Sequence, residues 1–322
     1  MLGLAAAACF ATGARANQAG YPGIVNYVEG QVAVNGTQLA PRSAGSADVG
    51  QGQVLKTRNG KAEMLLTPGV FLRLGDQSAV RMLDPGLTRT RVEILKGDAL
   101  VEVTDLQPQN HLQVVDGDTT ANLLKNGVYE FDAANPAVRV FDGKAQVEGD
   151  GSQVLLTKGK EAALSAPRLR AARFDRKDAE QTDDLYQWSS VRSEYLAEAS
   201  WDSARTIMLG GYPWWGAGWY WDPFWDMYSF IPGDGFLFSP FGWGFYSPWA
   251  VWRAPVFARG GFWGRGGVPV ARGVGRGIPR GGILPHRGAF VDPPIARMAP
   301  NGGFRGFGGF GGMGRMGGGP RR

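Results

Sequence analysis

Residues 138–147 read VRVFDGKAQV, and the path taken by this decapeptide decides the architecture of the chain. Apolar side chains stand at Val138 and Val140, then at Ala145 and Val147, with the polar pair Asp142-Gly143 between them. The same layout recurs as VNYVEGQVAV at 25–34, LKTRNGKAEM at 55–64 and VEILKGDALV at 92–101. A period of two is the mark of strands with one buried face; a helix would not produce it. Taken as two-residue hairpin loops, the pairs Glu29-Gly30, Asn59-Gly60, Lys96-Gly97 and Asp142-Gly143 place Val140 opposite Ala145 and Val138 opposite Val147. Four hairpins are therefore expected. Asn-Gly and Asp-Gly suit a type I′ turn; Glu29 and Lys96 suit it less well and predict longer or bulged loops.

Further strands are expected at Val70–Leu74 and at residues 79–83, 112–115, 128–131 and 154–157, punctuated by Gly-Asp, Asp-Gly and Pro-Gly pairs. Together they predict an all-β domain over residues 22–166, long enough to bury a sizeable core. The hairpin centres lie 30, 37 and 46 residues apart, too irregular for a short-period solenoid. A sandwich and an irregular β-solenoid both remain open. Asp116-Gly117-Asp118 and Asp150-Gly151-Ser152 could lend oxygens to calcium, but neither continues into a twelve-residue loop closed by Glu, so turn chemistry is expected at both.

Beyond this domain the composition changes. Residues 175–205 predict one helix, with Leu185, Trp188, Val191, Tyr195 and Ala199 as its apolar stripe, packed on the β-domain or offered to a partner. Residues 207–252 are rich in aromatics, Gly and Pro. Of the 41 residues from 212 to 252, 18 are aromatic, among them Trp214, Trp215, Trp219, Trp221 and Trp225, and Asp222, Asp226, Asp234 and five Pro interrupt any membrane span. Such rings either cover the protein's own β-domain or stack on a ligand. Residues 253–322 hold twelve Arg, no Lys and one acid, Asp292, against 22 basic and 28 acidic residues before them. This basic stretch carries RGG triplets at Arg259, Arg265 and Arg280 and evenly spaced Phe304, Phe307 and Phe310. Ordering so much Gly with so few aliphatics is unfavourable, and a disordered tail is expected.

The chain has 322 residues, one Cys (Cys9) and two His (His111 and His286). No internal disulfide, Cys-rich zinc site or His-based hydrolase centre can be assembled from that stock. No Walker loop, nucleophile elbow or HExxH motif is present. Carboxylate pairs suited to glycoside hydrolysis cannot be ranked without geometry. No enzyme is expected, and no catalytic, cofactor-binding or metal-binding residue is singled out. At the start, residues 2–12 (LGLAAAACFAT) have the length of a signal-peptide core, and Ala14-Arg15-Ala16 supplies a cleavage site before Asn17. A signal peptide over residues 1–16 predicts export to the periplasm or cell surface. A lipobox ending at Cys9 and a short core helix are the rival readings.

The order of these pieces resembles the FecR-type periplasmic domain. The stretches that carry the likeness are IVNYVEGQVAVNG (24–36), VGQGQVLKTRNGKAEMLLTPGVFLRLGDQSAV (49–80), VEILKGDALVEV (92–103) and VRVFDGKAQVEGDGSQVLLTKGKEAAL (138–164). Gly69, Leu72, Arg73, Leu74 and Ser78 stand at the family's "G-x-x-L-R-L-x-x-x-S" step, whereas Val128 follows Gly127 where the family often has Gly-Thr. The best-known members are sigma-factor regulators with a cytoplasmic anti-sigma segment and a membrane helix, and neither is recognisable in this sequence. The resemblance implies fold and envelope location, with a sigma-regulatory role in question. The functional expectation is a non-catalytic exported envelope protein that binds a protein partner and needs no cofactor. The alternative is a carbohydrate or polyanion binding module using residues 207–322. For an exported chain the Arg-rich tail faces anionic polymers or membrane surfaces, not nucleic acid, through salt-sensitive contacts.

Overall fold

The computed structural model describes residues 20–211 and 213–254. The expected signal peptide and all of the tail beyond Ala254 lie outside the described residues. Among those described, fifteen strands form one hydrogen-bonded sheet. In chain order they are β1 (Val25–Val34), β2 (Thr37–Leu39), β3 (Val54–Leu65), β4 (Val70–Leu74), β5 (Ala79–Pro85), β6 (Arg89–Lys96), β7 (Asp98–Val103) and β8 (His111–Asp116). Next come β9 (Thr119–Leu123), β10 (Gly127–Asp132), β11 (Ala137–Asp142), β12 (Lys144–Gly149), β13 (Ser152–Thr157), β14 (Lys160–Ala163) and β15 (Ala172–Arg173). Two helices follow, α1 (Arg176–Thr182) and α2 (Asp184–Met208). Two short hairpins close the described chain: β16 (Gly218–Asp222) with β17 (Met227–Ile231), and β18 (Phe236–Phe238) with β19 (Gly244–Tyr246).

The sheet folds as two leaves joined along β3. The first half of β3 pairs with β5 and the second half with β4, while β1 runs beside it along both halves. From β5 the first leaf continues through β6, β8, β9 and β12 to β13; from β4 the second continues through β7, β10, β11 and β14 to β15. Val80, Met82, Val92 and Val114 of the first leaf share one apolar cluster with Leu72, Val101, Tyr129 and Val140 of the second. The expected all-β body is present. Its ladders are antiparallel apart from β6 with β8, so it is not the parallel coil of a solenoid.

The four expected hairpins are not hairpins. Glu29-Gly30 lies inside β1 and Asn59-Gly60 inside β3, and these two strands pair with each other, Gly30 against Gly60. At Lys96-Gly97 and Asp142-Gly143 the chain leaves one leaf and enters the other: β6 pairs with β5 and β8, but β7 pairs with β4 and β10. Likewise β11 pairs with β10 and β14, but β12 pairs with β9 and β13.

The physical reason is that the pattern is degenerate. A strict strand would send Val140 and Ala145 to opposite faces. One residue out of phase at Gly143, φ +102°, restores the inward direction, so Val138, Val140, Ala145 and Val147 all enter the shared core. A two-residue hairpin loop would give the same apolar spacing. No side chain fits at this crossing, because a methyl on Gly143 would sit 2.2 Å from the Tyr129 hydroxyl. That hydroxyl accepts from the Lys144 N–H at 3.0 Å and donates to the Lys125 carbonyl at 2.5 Å, tying the crossing together.

The tight turns fall elsewhere. Asn35-Gly36 joins β1 to β2 and Asp150-Gly151 joins β12 to β13, and all four residues have positive φ, as a type I′ turn requires. The turn expected at Asp150-Gly151-Ser152 is therefore present. Strands form at all five additional places expected, with Val70–Leu74 matching β4 end to end.

Where one helix is expected, the chain forms two. Asp183 adopts an extended conformation and its carboxylate accepts from the Tyr186 N–H at 2.7 Å, capping α2 and breaking it from α1. The buried face of α2 is Leu185, Ser189, Arg192, Ser193, Leu196, Ala197, Ala199, Ser200, Ser203, Ala204 and Ile207; of the expected stripe, Leu185 and Ala199 lie on it, Trp188 and Tyr195 are half-buried, and Val191 points to solvent. Serine is small, so its rows let the helix approach the backbone beneath it; the hydroxyls of Ser193, Ser200 and Ser203 find acceptors, whereas that of Ser189 is buried without one.

Candidate functional site

The second leaf is covered on both faces, and the polar residues of its outer face are the unusual chemistry of this protein. Strands β4 and β7 place Arg73 and Glu102 between apolar neighbours, as strands with one wet face do. Both side chains are nevertheless fully buried, because α2 and the aromatic hairpins lie over them. Glu63 faces Arg73 directly across β3 and β4. Arg73 donates through Nε to Glu63 at 2.9 Å and through Nη1 to Glu102 at 2.6 Å.

The helix completes the network. Arg192 of α2 donates to Glu63 at 3.0 Å and lies over the Tyr27 ring at 4.0 Å. Ser193 donates to Glu102 at 2.7 Å and lies 3.2 Å from the Ser239 hydroxyl. Two guanidinium groups thus meet two carboxylates, and the charges cancel. Burial alone would raise the Glu63 carboxyl, but Arg192 and Arg73 together hold it below the ordinary glutamate range. Both carboxylates of the set are engaged by guanidinium or hydroxyl donors, while Arg73 Nη2 and Arg192 Nε are buried without a partner; the set's chemistry is to fasten α2 to the sheet.

The hairpins are held by the same principle. Asn26 on β1 donates to the Tyr228 carbonyl at 2.9 Å and accepts from the Tyr228 N–H at 2.8 Å, so its amide pairs with β17 as a strand would. Ser200 donates to the Phe230 carbonyl at 2.7 Å and Ser203 to Asp222 at 2.8 Å. Around these bonds, Phe71 meets Trp219 edge-on at 5.0 Å, and Phe230 and Phe245 complete a buried ring cluster with Ile24 and Leu65 of the β-body. Asn26→Ala is expected to destabilise the protein by about 2 kcal/mol, since two buried backbone groups lose their partner. Faster amide exchange at Tyr228 in that variant, with exchange in β8 unchanged, is the measurement that checks it.

The aromatic segment therefore divides into an inner and an outer set. Trp219, Tyr228, Phe230, Phe245 and Tyr246 are buried. Trp215, Phe224, Trp249 and Trp252 are exposed, Trp215 at 80% of its surface, and Phe236 and Phe238 about half exposed. Trp214 meets Trp249 edge-on at 6.3 Å, and the Arg253 guanidinium lies over the Trp252 ring at 5.2 Å. Most of the exposed large aromatics of the described chain lie in this layer, immediately before the Arg-rich residues 255–322.

The motif residues sort as follows. Leu72 and Leu74 enter the shared core, Arg73 the charge network, and Ser78 a corner where its hydroxyl accepts from the Asp98 N–H at 2.8 Å. Gly69, φ +82°, turns the chain into β4. His111 is exposed at the start of β8. Among the described residues no three His, Cys, Asp or Glu side chains stand together as a metal site, and no helix is long and apolar enough to cross a membrane. Sequence reasoning missed Glu63, Glu102, Arg192 and Asn26. Their signal was weak: charges alternating along strands read as a solvent face unless the covering layer is known.

No protein-family model and no curated protein matches the chain. Among solved structures, two of a candidate anti-sigma factor from Parabacteroides distasonis, at 2.50 and 1.65 Å resolution, are similar to it. The first shares 16% identity over 40% of this chain and 64% of that one, with a TM-score of 0.35. The second shares 15% identity over 38% and 61%, with a TM-score of 0.34. The chain thus spans about three fifths of the length of the solved chains it matches.

Proposed function

We propose that this chain is a non-catalytic protein of the cell envelope whose outer aromatic layer binds a protein partner. The observation that supports this most directly is the exposed set Trp215, Phe224, Trp249 and Trp252 on a layer whose inner rings are buried. Tryptophan and arginine dominate the energetics of protein contacts because a large flat ring desolvates at little entropic cost. The inner rings and the charge network fix the backbone that carries the outer ones, so the surface is preorganised. Export, and with it the periplasm or cell surface as the place of action, rests on the expected signal peptide at 1–16.

The second reading, a carbohydrate or polyanion module, draws on the same rings together with Arg253 and the basic residues that follow. The full chain, carried through an envelope extract at low and high salt beside the variant Trp215→Ser/Trp249→Ser/Trp252→Ser, separates the two. A protein partner is expected to stay bound at high salt and to fall at least tenfold in affinity in the triple variant. Retention of a polymer and not of a protein, lost at high salt, would replace the first reading with the second, whether or not the three substitutions weaken it.

A further inference from the structure

The two ends of the sheet are built differently. At one end β15 is two residues long, and Arg173 within it and Arg170 just before it put charge on a short edge. Short, charged edges are the usual protection against unwanted strand pairing. At the other end β13 is six residues long, SQVLLT, with no charge and no Pro. It pairs with β12 along its whole length, and among the described residues no strand lies on its other side. Leu155, at its centre, is 43% exposed.

We propose that β13 is a self-association edge, through which two copies of this chain pair antiparallel about a two-fold axis at Leu155. The strand is complementary to itself in this register and no other partner is needed to explain its composition. Leu155 faces Leu155 of the second copy, Val154 faces Leu156, and Gln153 faces Thr157, so apolar meets apolar and polar meets polar on each face. The flanks add charge complementarity. Asp150 precedes the strand and Lys158, which bridges Asp142 of its own chain at 2.9 Å, follows it, so antiparallel pairing brings Lys158 of each copy opposite Ser152, at the Asp150 end of the other. Parallel pairing would set Lys158 against Lys158. The inner-face residues Leu156, buried, and Val154, half-buried, already belong to the shared core or pack against it, so the pairing continues that core across the axis. A two-fold interface of this kind closes on itself and gives a dimer, not a filament.

The test uses the full chain with Cys9→Ser as background. Sedimentation velocity across a range of concentrations is expected to show a monomer–dimer equilibrium that Leu155→Lys weakens at least tenfold, with an unchanged circular dichroism spectrum, and that Leu155→Ile preserves. Under mild oxidation Leu155→Cys is expected to form a covalent dimer, because the position meets itself on the axis. Leu87→Cys, exposed between β5 and β6, is the control and should not. A chain that stays monomeric while Leu155→Cys cross-links no faster than Leu87→Cys overturns the proposal. So does a dimer that Leu155→Lys leaves intact.

Discussion

Replacing Arg73 by methionine is expected to cost about 3–5 kcal/mol of stability, because it leaves carboxylates buried without their cation. Glu102 would retain only the hydroxyls of Ser193, at 2.7 Å, and Thr104, at 3.3 Å, and Glu63 would retain Arg192 and Asn26. The methionine would fill most of the volume of the arginine stem, so the loss reports charge and not a cavity. The pH dependence separates these causes. Glu63 is held below its ordinary range in the folded protein, so its contribution is present above the unfolded value and is lost as pH falls through the folded one. Without Arg73 that contribution shrinks, and the variant's deficit in urea unfolding should be larger at pH 7 than at pH 4. A deficit equal at both pH values would mean that packing, not charge, is what Arg73 supplies. The compensated variant Glu63→Gln/Arg73→Met/Glu102→Gln/Arg192→Met should recover much of the loss, since buried ion sets are replaceable when every member goes together.

This network also marks where the sequence stops being readable. The all-β class is legible because the inward positions repeat at a period of two from Val25 to Val147, and β4 is legible to the residue. The connectivity is not, because a Gly crossing between leaves and a two-residue hairpin leave the same apolar spacing around Asp142-Gly143. Asn59-Gly60 shows how little the local signal decides: it has the composition of a type I′ turn, yet neither residue has positive φ, and β3 continues through it with only a register slip against β1. The long pairing of β1 with β3 overrides the local preference. The helix fails in a different way. Its large apolar residues suggest a stripe through Val191, whereas the true contact face interleaves leucine, isoleucine and alanine with four serines and one arginine, and the burial of most of these polar residues depends on acceptors far away in sequence. Ser193 finds Glu102 and Ser200 finds Phe230, and neither pairing leaves a periodic trace. For the aromatic segment, composition shows that many rings are present, but only packing separates Trp219, against Phe71, from Trp215 in solvent.

A second acidic group sits where α2 begins, and it is not balanced. Glu130 of β10 is buried beside Asp183, the cap of α2, with Asp98 and Asp132 facing each other on the neighbouring register of β7 and β10. Arg139 is the nearby cation, 3.5 Å from Glu130, and it is shared with Glu161 at 3.1 Å. Burial, then the charge and hydrogen bond of Asp183, push the Glu130 carboxyl up to about 8, and burial with Asp132 pushes Asp98 up to about 6. The sign follows from proton binding. Between pH 4.5 and 8 the folded state keeps a proton on Glu130 that the unfolded chain has released, so stability falls as pH rises across that window. Each unit of such a shift is worth about 1.4 kcal/mol. Glu130→Gln is therefore expected to raise the melting temperature at pH 8, to leave it nearly unchanged at pH 4.5, and to flatten the profile between them. Asp98 should leave a residual slope below pH 6. Arg139 keeps Glu161 in the variant and, being partly exposed, is not stranded. A profile for Glu130→Gln parallel to that of the native chain would show that the carboxyl is ionised in the fold and that Arg139, not a proton, neutralises it. The expected consequence is confined to the start of α2: between pH 8 and 4.5 protonation of Glu130 should strengthen its contact with Asp183, whereas at lower pH loss of the Glu63 charge should weaken the hold of Arg192 on the sheet.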